Sequence, residues 1–181
     1  MIAMAVLGQG PRPDAACIDL KGKQVVPLNR MANPTPQATV LIFYLAHCPI
    51  AQKMTPEINR LFKEFSPKGV QFYMIHEDAT LSAKEVESEA KAFGLLPQVL
   101  IDKWKTQMKV SGASTSPEAF VYNSTLRMTY RGRITDLFYG LGRMRPSATT
   151  HDLRDGILAS LAGKSNLDSD SPAIGCILPK N

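Results

Sequence analysis

Cysteine is scarce in this chain of 181 residues: it has only Cys17, Cys48 and Cys176, which lie far apart in the sequence. Three thiols are too few for the disulfide framework of a small secreted protein. Their spacing also lacks the closely paired cysteines of a structural zinc site. Because the number is odd, at least one thiol has no partner within a monomer, and both a disulfide scaffold and a zinc finger are excluded.

Long apolar runs and a strong excess of one charge are also missing. The longest uninterrupted apolar run, residues 40–46, is far shorter than the stretch of about 20 residues that spans a bilayer, so no membrane span is expected. The net charge of +5 comes from 21 basic and 16 acidic residues spread over the chain, which does not favour nucleic acid as a partner. With 44% hydrophobic and 20% charged residues, the composition is that of an ordinary single-domain globular protein.

The two ends of the chain differ from its middle. Residues 1–8 are apolar but lack a basic leader and are shorter than a complete secretory signal, so they are either the remains of such a signal or a frayed terminus. We expect a flexible N-terminus at 1–13, one domain at 14–163, and a polar C-terminal tail at 164–181 that could pack back on the domain.

Strands and helices alternate along the middle of the chain. Residues 40–46 are apolar and rich in β-branched and aromatic side chains, which predicts a strand buried on both faces. Beyond Pro49, apolar residues recur at helical spacing, with a kink expected at Pro56, and residues 70–75 form a second buried strand. This order predicts an α/β fold with a partly parallel sheet.

Other elements have local signals of their own. Ser82 and Glu85 form a capping box, which predicts the start of a helix that ends near Gly94. The remaining predicted elements are a hairpin at 16–27, a proline-containing loop at 29–38, an antiparallel pair of strands at 119–123 and 127–133, and a terminal helix from 148 to 163.

Cys48 lies where the buried strand meets the start of a helix. Unsatisfied backbone amides and the helix dipole favour an anion there, and a thiolate is such an anion. This placement lowers a cysteine pKa from about 8.5 into a range of roughly 3.5 to 7.5, which makes the sulfur a nucleophile. His47 could add positive charge, although neighbours on a strand point to opposite faces. The competing interpretation is a buried structural thiol.

Several motifs carry a resemblance that covers about residues 14–178. They are Val40–Ala46 followed by His47-Cys48-Pro49-Ile50-Ala51, then Gly69-Val70-Gln71-Phe72, Ser116-Pro117-Glu118-Ala119, Tyr130-Arg131-Gly132-Arg133, Thr150-His151-Asp152-Leu153 and Gly175-Cys176. With these motifs the chain resembles the thioredoxin-like redoxins, the superfamily of alkyl hydroperoxide reductases and thiol-specific antioxidants. Within it, the chain is similar to bacterial redoxin-domain proteins with a Cys-Pro-Ile-Ala motif, many of them exported.

The resemblance implies a fold and a location. The fold is a thioredoxin-like α/β domain with a central mixed sheet flanked by helices, an N-terminal hairpin and a C-terminal tail. The implied location is outside the cytoplasm, with the signal absent or truncated. The resemblance also implies a cis peptide bond before Pro117, which shapes a substrate groove opposite Cys48; the alternative is an ordinary trans-proline at the start of a strand.

Two departures from the superfamily limit the chemistry. A dithiol enzyme of the thioredoxin kind carries a second cysteine where this chain has Ala51, so Cys48 cannot close the usual local disulfide. Peroxiredoxins carry a threonine and a proline where this chain has Leu45 and Leu41, so the peroxide pocket is incomplete, although Arg131 or Arg133 could supply a positive charge.

A single reactive thiol needs a second thiol to resolve its oxidised products. Cys176 is the best internal candidate because it lies in a glycine-containing tail, and its competing role is a packing thiol that anchors the tail. Cys17, in a predicted strand, is expected to be structural. Pairing requires the Cα atoms of the two cysteines to approach within about 7 Å.

Other polar residues admit weaker interpretations. His47, Cys48, His151 and Cys176 could bind copper or zinc if the tail and terminal helix met at Cys48, although no spacing supports this. Residues 76–78 (His-Glu-Asp) are interpreted as a polar loop. The six arginines between Arg127 and Arg154 indicate either a site for an acidic partner or, more simply, a solvated face.

The function predicted from these observations is thiol-based redox chemistry, without a cofactor. Cys48 would attack a protein or small-molecule disulfide, Pro117 would shape the groove, Cys176 would resolve the product, and an external thiol would act as reductant. Arg133 is a further candidate for the site. The alternatives are a thiol peroxidase of the peroxiredoxin type and a non-catalytic module that binds metal or docks a partner.

Overall fold

The computed structural model describes residues 16–78, 80–167 and 171–179 of the chain. The predicted flexible segment 1–13 lies outside the described residues. In chain order the strands are β1 (Cys17–Asp19), β2 (Gln24–Val25), β3 (Ala38–Tyr44), β4 (Val70–His76), β5 (Gln98–Ile101), β6 (Thr115–Ser116), β7 (Glu118–Asn123), β8 (Met128–Gly132), β9 (Phe138–Gly140), β10 (Arg143–Met144) and β11 (Cys176–Ile177). The α-helices are α1 (Pro49–Phe65), α2 (Ala83–Ala92), α3 (Thr106–Ser111) and α4 (Asp152–Leu161).

Seven strands form one mixed sheet in the order β2-β1-β5-β4-β3-β7-β8. The central strand β3 pairs in parallel with β4 and antiparallel with β7. All of its residues are buried, as its β-branched and aromatic side chains predict for a strand covered on both faces. The predicted α/β fold with a partly parallel sheet is confirmed.

Helices α1 and α2 follow the parallel strands as crossover connections. Helix α1 begins directly after Cys48 with Pro49 in its first turn and continues past Pro56 to Phe65. The predicted capping box is present at the start of α2, where Ser82 and Glu85 satisfy each other's backbone amides. Helix α1 therefore starts at the carboxyl end of β3, which places its first turn at the edge of the sheet.

Two cores lie on opposite faces of the sheet. The first packs α1, α2 and α4 against the side chains of Val40, Ile42 and Tyr44. The second contains Leu41 and Phe43 together with Cys17 of β1, Met108 of α3 and Leu178 of the tail. Successive side chains of a strand point to opposite faces, and β3 therefore contributes to both cores.

Several elements differ from those predicted. Strand β5, helix α3 and the small sheets β9–β10 and β6–β11 have no counterpart among the predicted elements. The N-terminal hairpin is present, but β1 also pairs with β5, so the hairpin extends the central sheet. Helix α4 begins at Asp152 instead of residue 148.

Two peptide bonds in the described residues are cis, at Asn33-Pro34 and Ser116-Pro117. The second confirms the expectation for Pro117, whereas the first was not predicted. None of the helices in the described residues is long and apolar enough to cross a membrane.

Candidate active site

Cys48 is the N-cap residue of α1. Its amide donates to the carbonyl of Leu45 at 3.0 Å, and its own carbonyl accepts from the amide of Gln52 at 3.0 Å. The side chain is only 1% exposed. The thiol therefore lies at the positive end of a long helix, as predicted, and is shielded from solvent.

The loop that ends in the cis-proline faces this thiol. The Sγ of Cys48 donates to the carbonyl oxygen of Ser116 at 3.2 Å. The amide of Leu45 donates to Oγ of Ser116 at 2.8 Å. Ser116 thus joins the segment before Cys48 to the segment before Pro117, a linking role that the sequence did not reveal.

The C-terminal tail brings the second thiol to the same place. Strand β11 pairs antiparallel with β6, so that Cys176 lies opposite Ser116 and Ile177 opposite Thr115. The Sγ of Cys176 is 2.8 Å from the Sγ of Cys48 and donates a hydrogen bond to it. The two sulfurs, both free thiols, are in direct contact, and a disulfide bond between them would be about 2.05 Å long.

The pKa values of the Cys48 and Cys176 thiols are shifted in opposite directions. Burial alone would raise the pKa of Cys48, but the hydrogen bond from Cys176, backbone amides at Ala51 and Cys176, and Ser116 together lower this pKa below its usual value. Burial, the hydrogen bond to Cys48 and the charge of Cys48 raise the pKa of Cys176 to about 11. Cys48 is therefore the more acidic thiol of the pair, and Cys176 is its hydrogen-bond donor.

Cys17 lies on the other face of the sheet, in the second core. Burial, together with the nearby carboxylates of Asp102 and Glu77, raises its pKa far above the usual range. A thiol in this environment stays protonated and unreactive, which agrees with the structural role expected for it.

The prediction that residues 76–78 form a polar loop is wrong for His76, and the first loop residue, Glu77, is buried. His76 ends β4 and is fully buried, and Glu77 is nearly so. Burial, with a small contribution from the charge of His47, lowers the pKa of His76 to about 4, although Asp78 acts in the opposite direction. Burial and the neighbouring carboxylate of Asp102 raise the pKa of Glu77 to about 9. Both side chains are therefore held in their neutral forms.

Arg133, a further candidate from the sequence, is held by the start of α4. Its guanidinium donates to both carboxylate oxygens of Asp152, at 3.0 and 3.2 Å, and to Oγ1 of Thr150. Arg131 pairs with Glu118, Arg145 with Asp136, and Arg154 with Glu64. Four of the six clustered arginines thus form ion pairs within the chain.

The histidines considered as metal ligands do not converge on Cys48. His47 is exposed, whereas the Cys48 thiol beside it is buried, and Nδ1 of His151 lies 3.3 Å from Oε1 of Glu57. Across the described ranges 16–78, 80–167 and 171–179, no three histidine, cysteine or acidic residues lie close enough to hold a metal ion. The metal site considered from sequence is not assembled in that part of the chain.

Two further residues shape the site and were missed from sequence. The carboxylate of Glu118 accepts the amides of Ser114 at 2.8 Å and Thr115 at 3.2 Å, and pairs with Arg131, which fixes the backbone of β6. A Cβ atom at Gly175 would overlap the carbonyl group of Ser116, so only glycine lets the tail approach this closely. The glycine directly before Cys176 was the one available signal.

Comparisons with known proteins identify the family and the fold. Residues 10–136 match the AhpC/TSA family. A hypothetical protein from Sinorhizobium meliloti is 23% identical with a TM-score of 0.76, covering 90% of this chain and 88% of that one. An uncharacterized conserved protein from Geobacillus kaustophilus is 25% identical with a TM-score of 0.73, covering 99% and 94%.

A third solved structure has a described activity. It is a secreted disulfide oxidoreductase of Mycobacterium tuberculosis, 15% identical with a TM-score of 0.54, covering 82% of this chain and 94% of that one. At this level of identity the likeness shows the thioredoxin-like fold. No curated protein matches the chain.

Proposed function

The chain belongs to the AhpC/TSA family, and from that premise we propose that it is a thiol–disulfide oxidoreductase in which Cys48 attacks a disulfide and Cys176 resolves the product. The observation that carries the proposal is the 2.8 Å contact between the two sulfurs at the start of α1, beside the cis-proline loop. In this proposal, Cys176 of the tail takes the role of the second cysteine that a dithiol enzyme carries at position 51.

The reaction has two exchange steps. The Cys48 thiolate attacks one sulfur of the substrate disulfide, forms a mixed disulfide with it, and releases the other sulfur as a thiolate that takes up a proton. The Cys176 thiol then loses its proton and attacks Sγ of Cys48, which releases the second substrate thiolate. The substrate disulfide is reduced and the Cys48–Cys176 pair is oxidised, and an external thiol reductant restores the pair.

The raised pKa of Cys176 fits the second step. After burial, its causes are the hydrogen bond to Cys48 and the negative charge of Cys48. Once Cys48 is part of a mixed disulfide, that charge is gone, and the pKa of Cys176 falls toward its ordinary value. Cys176 therefore remains a thiol while Cys48 is free and becomes a better nucleophile only after Cys48 has reacted.

Disulfides fit the site better than peroxides. Leu45 and Leu41 occupy the positions where the resemblance implies a threonine and a proline for peroxide binding. A location outside the cytoplasm, like that of the secreted oxidoreductase of Mycobacterium tuberculosis, would supply protein disulfides, which persist in oxidising compartments.

Reaction with a peptide disulfide followed by mass spectrometry tests the proposal. The wild-type chain should release both substrate thiols and gain a Cys48–Cys176 disulfide. Cys176→Ser should release only one thiol and keep the other substrate half bound to Cys48, and Cys48→Ser should release neither. If hydrogen peroxide, but not the peptide disulfide, produces the Cys48–Cys176 bond, the protein is a peroxidase and the proposal is wrong.

A further inference from the structure

The tail covers the groove in which a substrate would have to bind. Strand β11 forms backbone pairs with Thr115 and Ser116, and the amide of Leu178 donates to the carbonyl of Ser114 at 3.0 Å. Cys48 beneath it is only 1% exposed. While the tail is in place, the edge of β6 is already paired and no external disulfide can reach Sγ of Cys48.

We propose that residues 175–178 occupy the substrate groove in the resting protein, and that the substrate is an extended polypeptide that displaces them. This inference rests on the proposed function. The tail is itself an extended segment with a cysteine whose sulfur touches Cys48. A polypeptide that pairs with Thr115 and Ser116 in the same antiparallel register places its own sulfur at the same point.

The fit of the tail indicates which sequence the groove accepts. A side chain at position 175 would collide with the carbonyl group of Ser116, so the residue before the reacting cysteine has to be glycine. Gly175 is not in the left-handed region, and the requirement is one of space. By contrast, Ile177 is 79% exposed, so the residue after the cysteine is unrestricted.

The tail remains tethered when it leaves the groove. Ser171 accepts the amide of Arg133 with its carbonyl at 2.9 Å, and its Oγ donates to Asp152 at 2.9 Å. Arg133 directly follows β8 and Asp152 begins α4, so both contacts lie outside the groove. Because the tether keeps Cys176 at a high effective concentration, the tail returns to the groove readily.

Resolution and release of the substrate become a single event in this arrangement. In the mixed disulfide the substrate strand occupies the edge of β6 that Cys176 needs in order to reach Cys48. When the tail pairs with that edge again, it expels the substrate backbone and brings its thiol to the mixed disulfide.

Access to Cys48 can be measured in the full chain with a Cys176→Ser background, in which only Cys17 and Cys48 remain as thiols. Adding Gly175→Ala should unseat the tail and raise the rate at which a bulky maleimide alkylates Cys48 by about tenfold or more. The matched control, Ile177→Ala, changes an exposed side chain of the same strand and should leave this rate unchanged. Equal rates in the two variants would overturn the inference.

Cys17 serves as an internal reporter of folding in the same experiment. Its side chain is fully buried in the other core, so it is alkylated only if the domain unfolds. If Gly175→Ala also exposes Cys17, the variant has unfolded, and the inference is tested instead by the rates at which the wild-type chain reacts with two peptide disulfides. Peptides with Gly before the cysteine should react several-fold faster than those with Ala, by the cost of the same overlap. Equal rates for the two peptides would refute the proposed groove.

The outcomes separate this inference from the proposed function. Alkylation reports access and needs no exchange reaction. A Cys48–Cys176 disulfide that forms normally while Gly175→Ala fails to expose Cys48 refutes only the role of the tail. A tail that unseats as expected in a chain that never forms this disulfide refutes only the oxidoreductase.

Discussion

Cys17 and Cys48 are both almost completely buried, at 0% and 1% exposure, yet the pKa values of their thiols are shifted in opposite directions. Cys48 lies at a helix N-terminus and has Cys176 and Ser116 as hydrogen-bond partners, and its pKa is lowered. Cys17 lies among apolar side chains with the carboxyl groups of Asp102 and Glu77 nearby, and its pKa is raised.

The difference shows that burial does not decide whether a cysteine is reactive. Removal from water disfavours the thiolate at both positions. Only at Cys48 do donors that favour the anion outweigh this cost, whereas at Cys17 two carboxyl groups add to it. The chain therefore has one buried thiol with a raised pKa and another with a lowered pKa, in cores on opposite faces of one sheet.

The largest expected difference is in disulfide exchange. Cys48→Ser should reduce the rate of peptide-disulfide reduction to that of the uncatalysed reaction, because serine supplies no thiolate. The matched variant Cys17→Ala should keep the wild-type rate and lower the free energy of unfolding by only about 1 kcal/mol. A thiol-release assay and urea unfolding measure the two effects; comparable losses of activity would remove the distinction between the two thiols.

The acidic surroundings of Cys17 predict a stability that depends on pH. Glu77 keeps its proton in the folded chain up to pH about 9 but loses it near 4.5 when unfolded, so stability should fall as pH rises between these values. Between pH about 7.5 and 9, where His76 is neutral in both states, Glu77→Gln should flatten this slope.

Urea unfolding across that range measures the slope. Glu87→Gln, which alters an exposed carboxylate on α2, is the control and should keep the wild-type slope. An unchanged slope in Glu77→Gln would mean that Glu77 is ionised in the folded chain.

A smaller change is expected at the reactive thiol itself. Cys176→Ala removes the main hydrogen bond that offsets the burial of Cys48, so the pKa of Cys48 should rise and its thiolate fraction at pH 7 should fall. Cys176→Ser retains a donor and should lie between this variant and the wild type. The ultraviolet absorbance of the thiolate, recorded against pH, gives the midpoint, and a midpoint unaffected by Cys176→Ala would contradict the hydrogen bond.

The smallest effect is expected for Ser116→Ala. This change removes the Oγ that accepts the amide of Leu45 but leaves the carbonyl that accepts from Cys48. Unfolding should cost about 1 kcal/mol less, and the pKa of Cys48 should rise by less than in Cys176→Ala. The same absorbance titration measures this pKa. A larger rise than in Cys176→Ala would mean that Ser116, and not Cys176, contributes most to lowering the pKa of Cys48.

The parts of the fold that follow from local pattern were predictable. The continuous apolar run of β3, the capping box at Ser82 and the antiparallel strands β7 and β8 are each specified within a few neighbouring residues. Helix α3 is only six residues long and starts from Lys105 in the left-handed region without a side-chain cap, so it lacks such a signal. The two-residue strands β6 and β11 are too short to show a period.

The site was predictable only in part, for a similar reason. Cys48 and Pro117 follow from their positions beside a strand and from the family resemblance. The electrostatic surroundings of Glu77 include Cys17 and Asp102, which come from distant parts of the chain and meet only in the folded sheet. The collision that requires Gly175 depends in the same way on Ser116, and its backbone geometry is known only from the structure.

Cys48 and Cys176 are 128 positions apart, so a disulfide bond between them would close a large covalent ring. In the chain-entropy description, a cross-link that closes a ring of this size stabilises the folded state by about 5 kcal/mol, compared with about 2 kcal/mol for cysteines spaced like positions 48 and 51. The ring encloses most of the central sheet, from β4 to β8. Each turnover would therefore convert a linear chain into one with a covalently closed ring and back again. The free energy of unfolding would be higher in the oxidised state than in the reduced state.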